Sequence, residues 1–122
     1  MAAQLLIAER QLGGVTILDL SGHLVADEED VLFTGRVDAL LAAGKHNVVV
    51  NLARVTIIDS GGIGTLVAKY LSARRHGGDL RLLNLTPRTR RVLEMTRLID
   101  VFASFESEEA AVRSFAPDHA TA

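Results

Sequence analysis

The sequence predicts an α/β fold: one mixed β-sheet with an antiparallel edge strand, otherwise mainly parallel, and about four α-helices lying mostly on one face. Three observations predict it. Two apolar stretches, residues 4–11 and 15–20, are joined through Gly13-Gly14, and glycine supplies the positive φ angles that a hairpin turn needs. After them, helical spacing alternates with short apolar runs, the order of parallel strands linked by crossover helices. Near the middle, a strand, a glycine turn and a helix meet at Asp59-Ser60-Gly61-Gly62.

In the second strand Val15, Ile17 and Asp19 face one side, and Thr16, Leu18 and Leu20 the other. Ser21-Gly22-His23-Leu24 then reads as a turn. Ala26-Asp27-Glu28-Glu29-Asp30 opens the first helix with its acids where the macrodipole favours them, and Gly44 closes it. Its expected apolar stripe is Val31, Phe33, Val37, Leu40 and Leu41, weakened by the interior Gly35. The β-branched run 48–50 gives way to Asn51-Leu52-Ala53-Arg54, and a second apolar pair, Ile57-Ile58, delivers the chain to the glycine turn.

In the helix that follows, Ile63, Leu66, Val67, Tyr70 and Leu71 fall at i, i+3, i+4, i+7 and i+8, which predicts one inward face with Lys69 and Arg74 outward. Arg74-Arg75-His76-Gly77-Gly78 ends it, because cations suit the negative helix end and glycine stops the turn. Residues 79–85 read as a strand made apolar by Leu80, Leu82 and Leu83. Thr86 is the expected N-cap of a helix with Pro87 first, lined inside by Val92, Leu93, Thr96 and Leu98. Residues 101–105 form a short last strand, and Ser107-Glu108-Glu109 caps a helix running to Phe115. Residues 1–116 are thus expected to form one domain, and residues 117–122 a flexible tail.

The chain's 122 residues, 48% hydrophobic and 23% charged, suit a single domain with its own core. A net charge of −2 argues against general attraction to nucleic acid, and 4% aromatic residues are too few for a base-stacking surface. The absence of cysteine excludes disulfides, thiolate nucleophiles and zinc–thiolate sites, and fits a cytoplasmic protein. Neither a leader pattern nor an apolar run of about 20 residues is present, so no membrane insertion is expected.

The glycine turn carries the chemistry. Asp59 or Ser60 can cap the helix, and Gly61 and Gly62 lack side chains that would cover the amides, so the turn can meet an anion or another protein. Catalytic patterns fail here. Ile58 stands where a nucleophile elbow needs glycine; Thr65-Leu66 follows Gly64 where a phosphate loop needs Lys; Val67 occupies the third glycine of a dinucleotide fingerprint. His23, His46, His76 and His119 show no ligand spacing, so no metal, no cofactor and no enzymatic activity are expected. Arg88, Arg90, Arg91 and Arg97 cluster on one helix but read as a solvated face, since Glu94 interrupts them.

From about Leu6 to Phe115 the chain resembles the STAS-domain family, especially the bacterial anti-sigma factor antagonists. Residues 21–24 are similar to that family's Gly-x-Leu-Asp turn, residues 47–52 to its apolar strand, and residues 58–64 to its Asp-Ser-Ser-Gly-Leu-Gly signature; Gly77-Gly78-Asp79-Leu80-Arg81-Leu82, Pro87 and Leu93 fall in step. The resemblance implies a STAS-like mixed sheet and a module, a monomer or weak dimer, that binds an anti-sigma factor, often also a serine kinase, and so frees a sigma factor. The open turn together with the missing catalytic groups puts the partner surface at the Ser60 loop and the exposed side of the helix from Gly62 to Arg75, with Asp59, Ser60, Gly61, Gly62, Ile63, Thr65 and Lys69 as its expected partner-binding residues. The usual phosphoacceptor is the second residue after the Asp, which here is Gly61 and carries no hydroxyl; Val25 and Asn51 also stand where the family commonly has Asp.

Two expectations follow from Gly61. Either Ser60 is the phosphoacceptor, placing about −1.5 to −2 of charge beside Asp59 at a helix N-terminus, or the switch is lost and binding is constitutive. The second is favoured, because Gly61 removes the usual hydroxyl and a Ser in the cap position keeps its oxygen turned to the backbone. Two rival functions are an accessory subunit of a bacterial lipid-transport ABC ATPase, since STAS domains also serve there, and nucleotide binding at the glycine turn.

Overall fold

The computed structural model describes residues 5–25 and 28–115; the tail 117–122, and the expected helix-opening residues Ala26 and Asp27, lie outside them. Among the described residues the order is β1 (Leu5–Leu12), β2 (Val15–Leu24), α1 (Glu28–Ala42), β3 (Asn47–Ile58), α2 (Ser60–Arg75), β4 (Asp79–Leu83), α3 (Pro87–Met95), β5 (Ser104–Phe105) and α4 (Glu108–Arg113). The strands form one sheet in the order β1-β2-β3-β4-β5. β1 and β2 are antiparallel, and the later pairs are parallel. Leu12 pairs with Val15, so the hairpin turn is Gly13-Gly14, with φ of 56° and 82° as a two-residue turn of this hand requires.

The alternation in β2 sorts the core. Leu18 and Leu20 join Val48, Val50, Leu52, Leu80 and Leu82 on the face covered by α1, α2 and α3, which contribute Phe33, Val37, Ile63, Leu66 and Leu93. Val15 and Ile17 join Val49 and Leu83 on the opposite face, where Ala111 of α4 packs. Three helices therefore lie on one face and one on the other. Val31 departs from its expected stripe and is 69% exposed, because the helical turn that buries Phe33 carries it to the outer side.

Two stretches expected to leave the sheet stay in it. Ser21-Gly22-His23-Leu24 continues β2, paired with Arg54, Val55, Ile57 and Ile58 of a β3 that runs unbroken through residues 51–54. Register shifts between Asp19 and Ser21 and between Gly22 and His23 absorb the irregularity, and Gly22 takes a φ of 106° open to glycine. β4 stops where Leu83 pairs with Asn51, so β3 projects beyond it and carries the start of α2 out past the sheet's end. β5 is shorter than expected because Phe102 turns into the core, its ring packing edge-on against Tyr70 at 5.3 Å.

Candidate functional site

Asp59, not Ser60, caps α2. Its backbone is extended, and its Oδ1 accepts a hydrogen bond from the Gly62 N–H at 2.8 Å. Ser60 is thereby the first helical residue, exposed, with its hydroxyl outside the cap.

The two glycines of the turn differ. Gly62 is buried against β2, and a Cβ there would come 2.0 Å from the Leu24 carbonyl oxygen. Its lack of a side chain serves the packing of α2 on β2, and its amide is already engaged by Asp59. The expectation of an open amide therefore does not hold at Gly62. Gly61 is half-buried, and its carbonyl accepts the Thr65 hydroxyl at 3.2 Å.

The remaining predicted positions divide by the helix's turn. Ile63 is fully buried in the core and offers a partner nothing. Thr65 is half-buried. Lys69 does not point outward: its Nζ lies 2.8 Å from Asp38 Oδ1, tying α2 to α1 with its side chain 13% exposed. The outward stripe is instead Ser60, Gly64, Ala68, Leu71 and Arg75, all exposed, at i, i+4, i+8, i+11 and i+15. Leu71, expected inside, is 47% exposed because the helical period carries it off the Ile63 face. Gly64 has nothing within 4 Å of where its Cβ would stand, so no packing within the chain accounts for a glycine there. Small residues at the first three positions, Ser60, Gly64 and Ala68, are the sequence feature of this outer stripe.

On the far face of the sheet lies a polar network. Arg10 donates to both carboxylate oxygens of Asp19, at 2.7 and 3.0 Å, and to Glu108 of α4. Asn51 donates to Asp19 at 2.8 Å and accepts from Asn84 at 3.2 Å. Hydrogen bonding from Arg10 holds the Asp19 carboxyl below its ordinary value, against a partial burial that raises it. These bonds pin β1 and α4 to the sheet. Among the described residues no group of three His, Cys, Asp or Glu could hold a metal ion, and no helix is long and apolar enough to cross a membrane.

Residues 7–111 match the STAS domain family. The chain is 25% identical over 99 residues to an anti-sigma F factor antagonist of Paenibacillus polymyxa, a match covering 81% of this chain and 85% of that one. It is 31% identical over 101 residues to an anti-sigma-B factor antagonist of Staphylococcus epidermidis, covering 83% of this chain and 85% of that one. The fold superposes on the crystal structure of an anti-sigma factor antagonist from Mycobacterium paratuberculosis with a TM-score of 0.78 at 21% identity, covering 91% of this chain and 93% of that one.

Proposed function

The chain belongs to the STAS domain family, and from that premise we propose that it is an anti-sigma factor antagonist: it binds an anti-sigma factor through the outer face of α2 and so frees a sigma factor. The observation that carries the reading is the exposed stripe Ser60, Gly64, Ala68, Leu71 and Arg75 beside the Asp59 cap. Three of these residues have little or no side chain, so a partner's backbone can approach the helix closely. Leu71 and the 41% exposed Ile57 supply apolar area whose burial drives association.

Regulation falls to Ser60. Gly61 removes the usual hydroxyl, one ground for a lost switch; the other, a Ser60 oxygen turned to the backbone, is absent because Asp59 holds the cap. A phosphate on Ser60 would be received by the helix N-terminus, yet would set a charge of about −1.5 to −2 beside Asp59 at one end of the docking stripe. Its desolvation cost opposes docking.

The test is a release assay. Added to a purified anti-sigma factor–sigma factor complex from the same cell, the protein displaces the sigma factor, and Ser60→Asp lowers its potency by about tenfold or more. Equal potency of the two proteins takes Ser60 out of the surface, and no displacement by the wild type overturns the antagonist reading. Stable co-purification with a transport ATPase subunit in place of an anti-sigma factor overturns it too. With the cognate kinase and ATP, phosphate maps to Ser60 by mass spectrometry; an unmodified chain means a constitutive binder.

A further inference from the structure

We propose that the arginine face of α3 is a second docking surface, taking an acidic segment of the same anti-sigma factor that engages α2; the inference rests on the antagonist reading above. Arg88, Arg90 and Arg91 are exposed on the side of α3 away from the buried Thr89 and Leu93, and Arg97 follows the helix. The cations that form ion pairs among the described residues are Arg10, Arg36, Lys69, Arg74, Arg81 and Arg113. None belongs to α3 or its C-terminal turn. Glu94, one turn on from Arg90, is exposed and also outside those pairs. Three cations of α3, with Arg97 just beyond its end, thus have no ion-pair partner among the described residues, in a chain whose net charge is −2.

Arg97 has a φ of 62°, in the left-handed region that favours glycine, and the Leu98 N–H to Leu93 carbonyl bond of 2.8 Å closes the helix end around it. Met95, 75% exposed, adds an apolar spot between the cations.

The surface is continuous with the α2 site. A groove lined by Ala53, Val55, Thr56, Thr86, Pro87 and Arg88 runs between the overhang of β3 and the start of α3, and the same strand leads from Thr56 through Ile58 to Ser60. A partner seated on Ser60 can therefore extend along β3 to Arg88 and Arg91. Guanidinium groups bind carboxylates through paired N–H donors, which fits an acidic peptide segment. Nucleic acid fits less well, since α3 has no aromatic residue for base stacking, and a membrane surface less well still, since Met95 is its single exposed apolar side chain.

The test is a titration of the purified anti-sigma factor against the wild type, R88Q/R91Q, Ser60→Asp and, on the opposite face of the sheet, Arg113→Gln, from about 50 to 300 mM salt. Melting temperatures check that each variant is folded. R88Q/R91Q is expected to bind about tenfold more weakly and with a shallower salt dependence, and Arg113→Gln to bind as the wild type does. If Ser60→Asp loses affinity while R88Q/R91Q does not, the acidic-segment inference fails and the antagonist reading stands. If the wild type does not bind, both fail. Binding of random duplex DNA or of phosphatidylglycerol vesicles that R88Q/R91Q abolishes, with anti-sigma affinity unchanged, assigns the patch to another ligand and overturns the inference.

Discussion

Asp59 and Ser60 stand side by side with the same capacity to cap a helix, and the structure gives the task to Asp59. Its extended backbone aims the carboxylate at the Gly62 amide, whereas Ser60 already has its place in the helix. Asp59→Ala is expected to lower unfolding free energy by about 1 kcal/mol in urea denaturation, and Ser60→Ala to change it by less than about 0.5 kcal/mol. Sequence alone shows that one of the two caps; choosing between them requires the φ and ψ of the turn. Asp19 is a second residue whose role depends on distant partners. Its carboxyl is held below the ordinary 3.8 by Arg10, so its contribution to stability is present above the unfolded-state value and is lost as pH falls through the lower folded-state value. Arg10 is 41% exposed, and solvent screening keeps the contribution below about 1 kcal/mol. The stability difference between the wild type and Asp19→Asn should therefore be measurable by urea unfolding at neutral pH, begin to shrink near 3.8, and vanish only in acid below the lower folded-state value. A difference that persisted there would remove the ion pair as its cause.

Within α2, two glycines two residues apart do opposite things. Gly62→Ala drives a methyl group into the Leu24 carbonyl of β2 and is expected to cost about 1 to 3 kcal/mol. Gly64→Ala meets nothing within 4 Å and removes a poor helix former, so it should stabilise by about 0.5 to 1 kcal/mol. Equilibrium unfolding of the two variants checks both signs. The sequence marks both as a glycine-rich helix start, since the same composition serves close packing at one position and an open surface at the other. Strand limits were concealed in a similar way. Asn51 and Arg54 look like the end of a strand, and Gly22 like a turn, yet β2 and β3 pair through all of them because each supplies the other's backbone partners beyond the end of β4. Local polarity reports loops poorly where two strands overhang together. The caps Thr86 and Ser107, whose side chains accept from Thr89 and Ala110, were legible because their chemistry is local.

Across the whole molecule, the alternation of helix and strand carried the α/β fold and the mixed sheet, since crossover connections leave few other arrangements. The arrangement sets both candidate surfaces. Parallel strands place the starts of α2 and α3 at one end of the sheet, and the overhang of β3 connects them. The sequence showed only in part which side of α2 faces out: Arg74 is exposed as expected, while Leu71 and Lys69 depart from expectation. Its apolar positions predicted the buried face around Ile63 and Leu66, but Lys69 is drawn to Asp38 of α1, a contact between helices that no single-helix pattern contains. Because Gly64 is exposed, central to the outer stripe and unconstrained by packing, it separates folding from docking better than any other position. The decisive measurement is calorimetric titration of the purified anti-sigma factor with the wild type and with Gly64→Arg, alongside their melting temperatures. The account predicts a melting temperature equal to or above that of the wild type together with affinity reduced by about a hundredfold or more, because an arginine there favours the helix but bars the partner's approach. Undiminished affinity in a folded Gly64→Arg would contradict it.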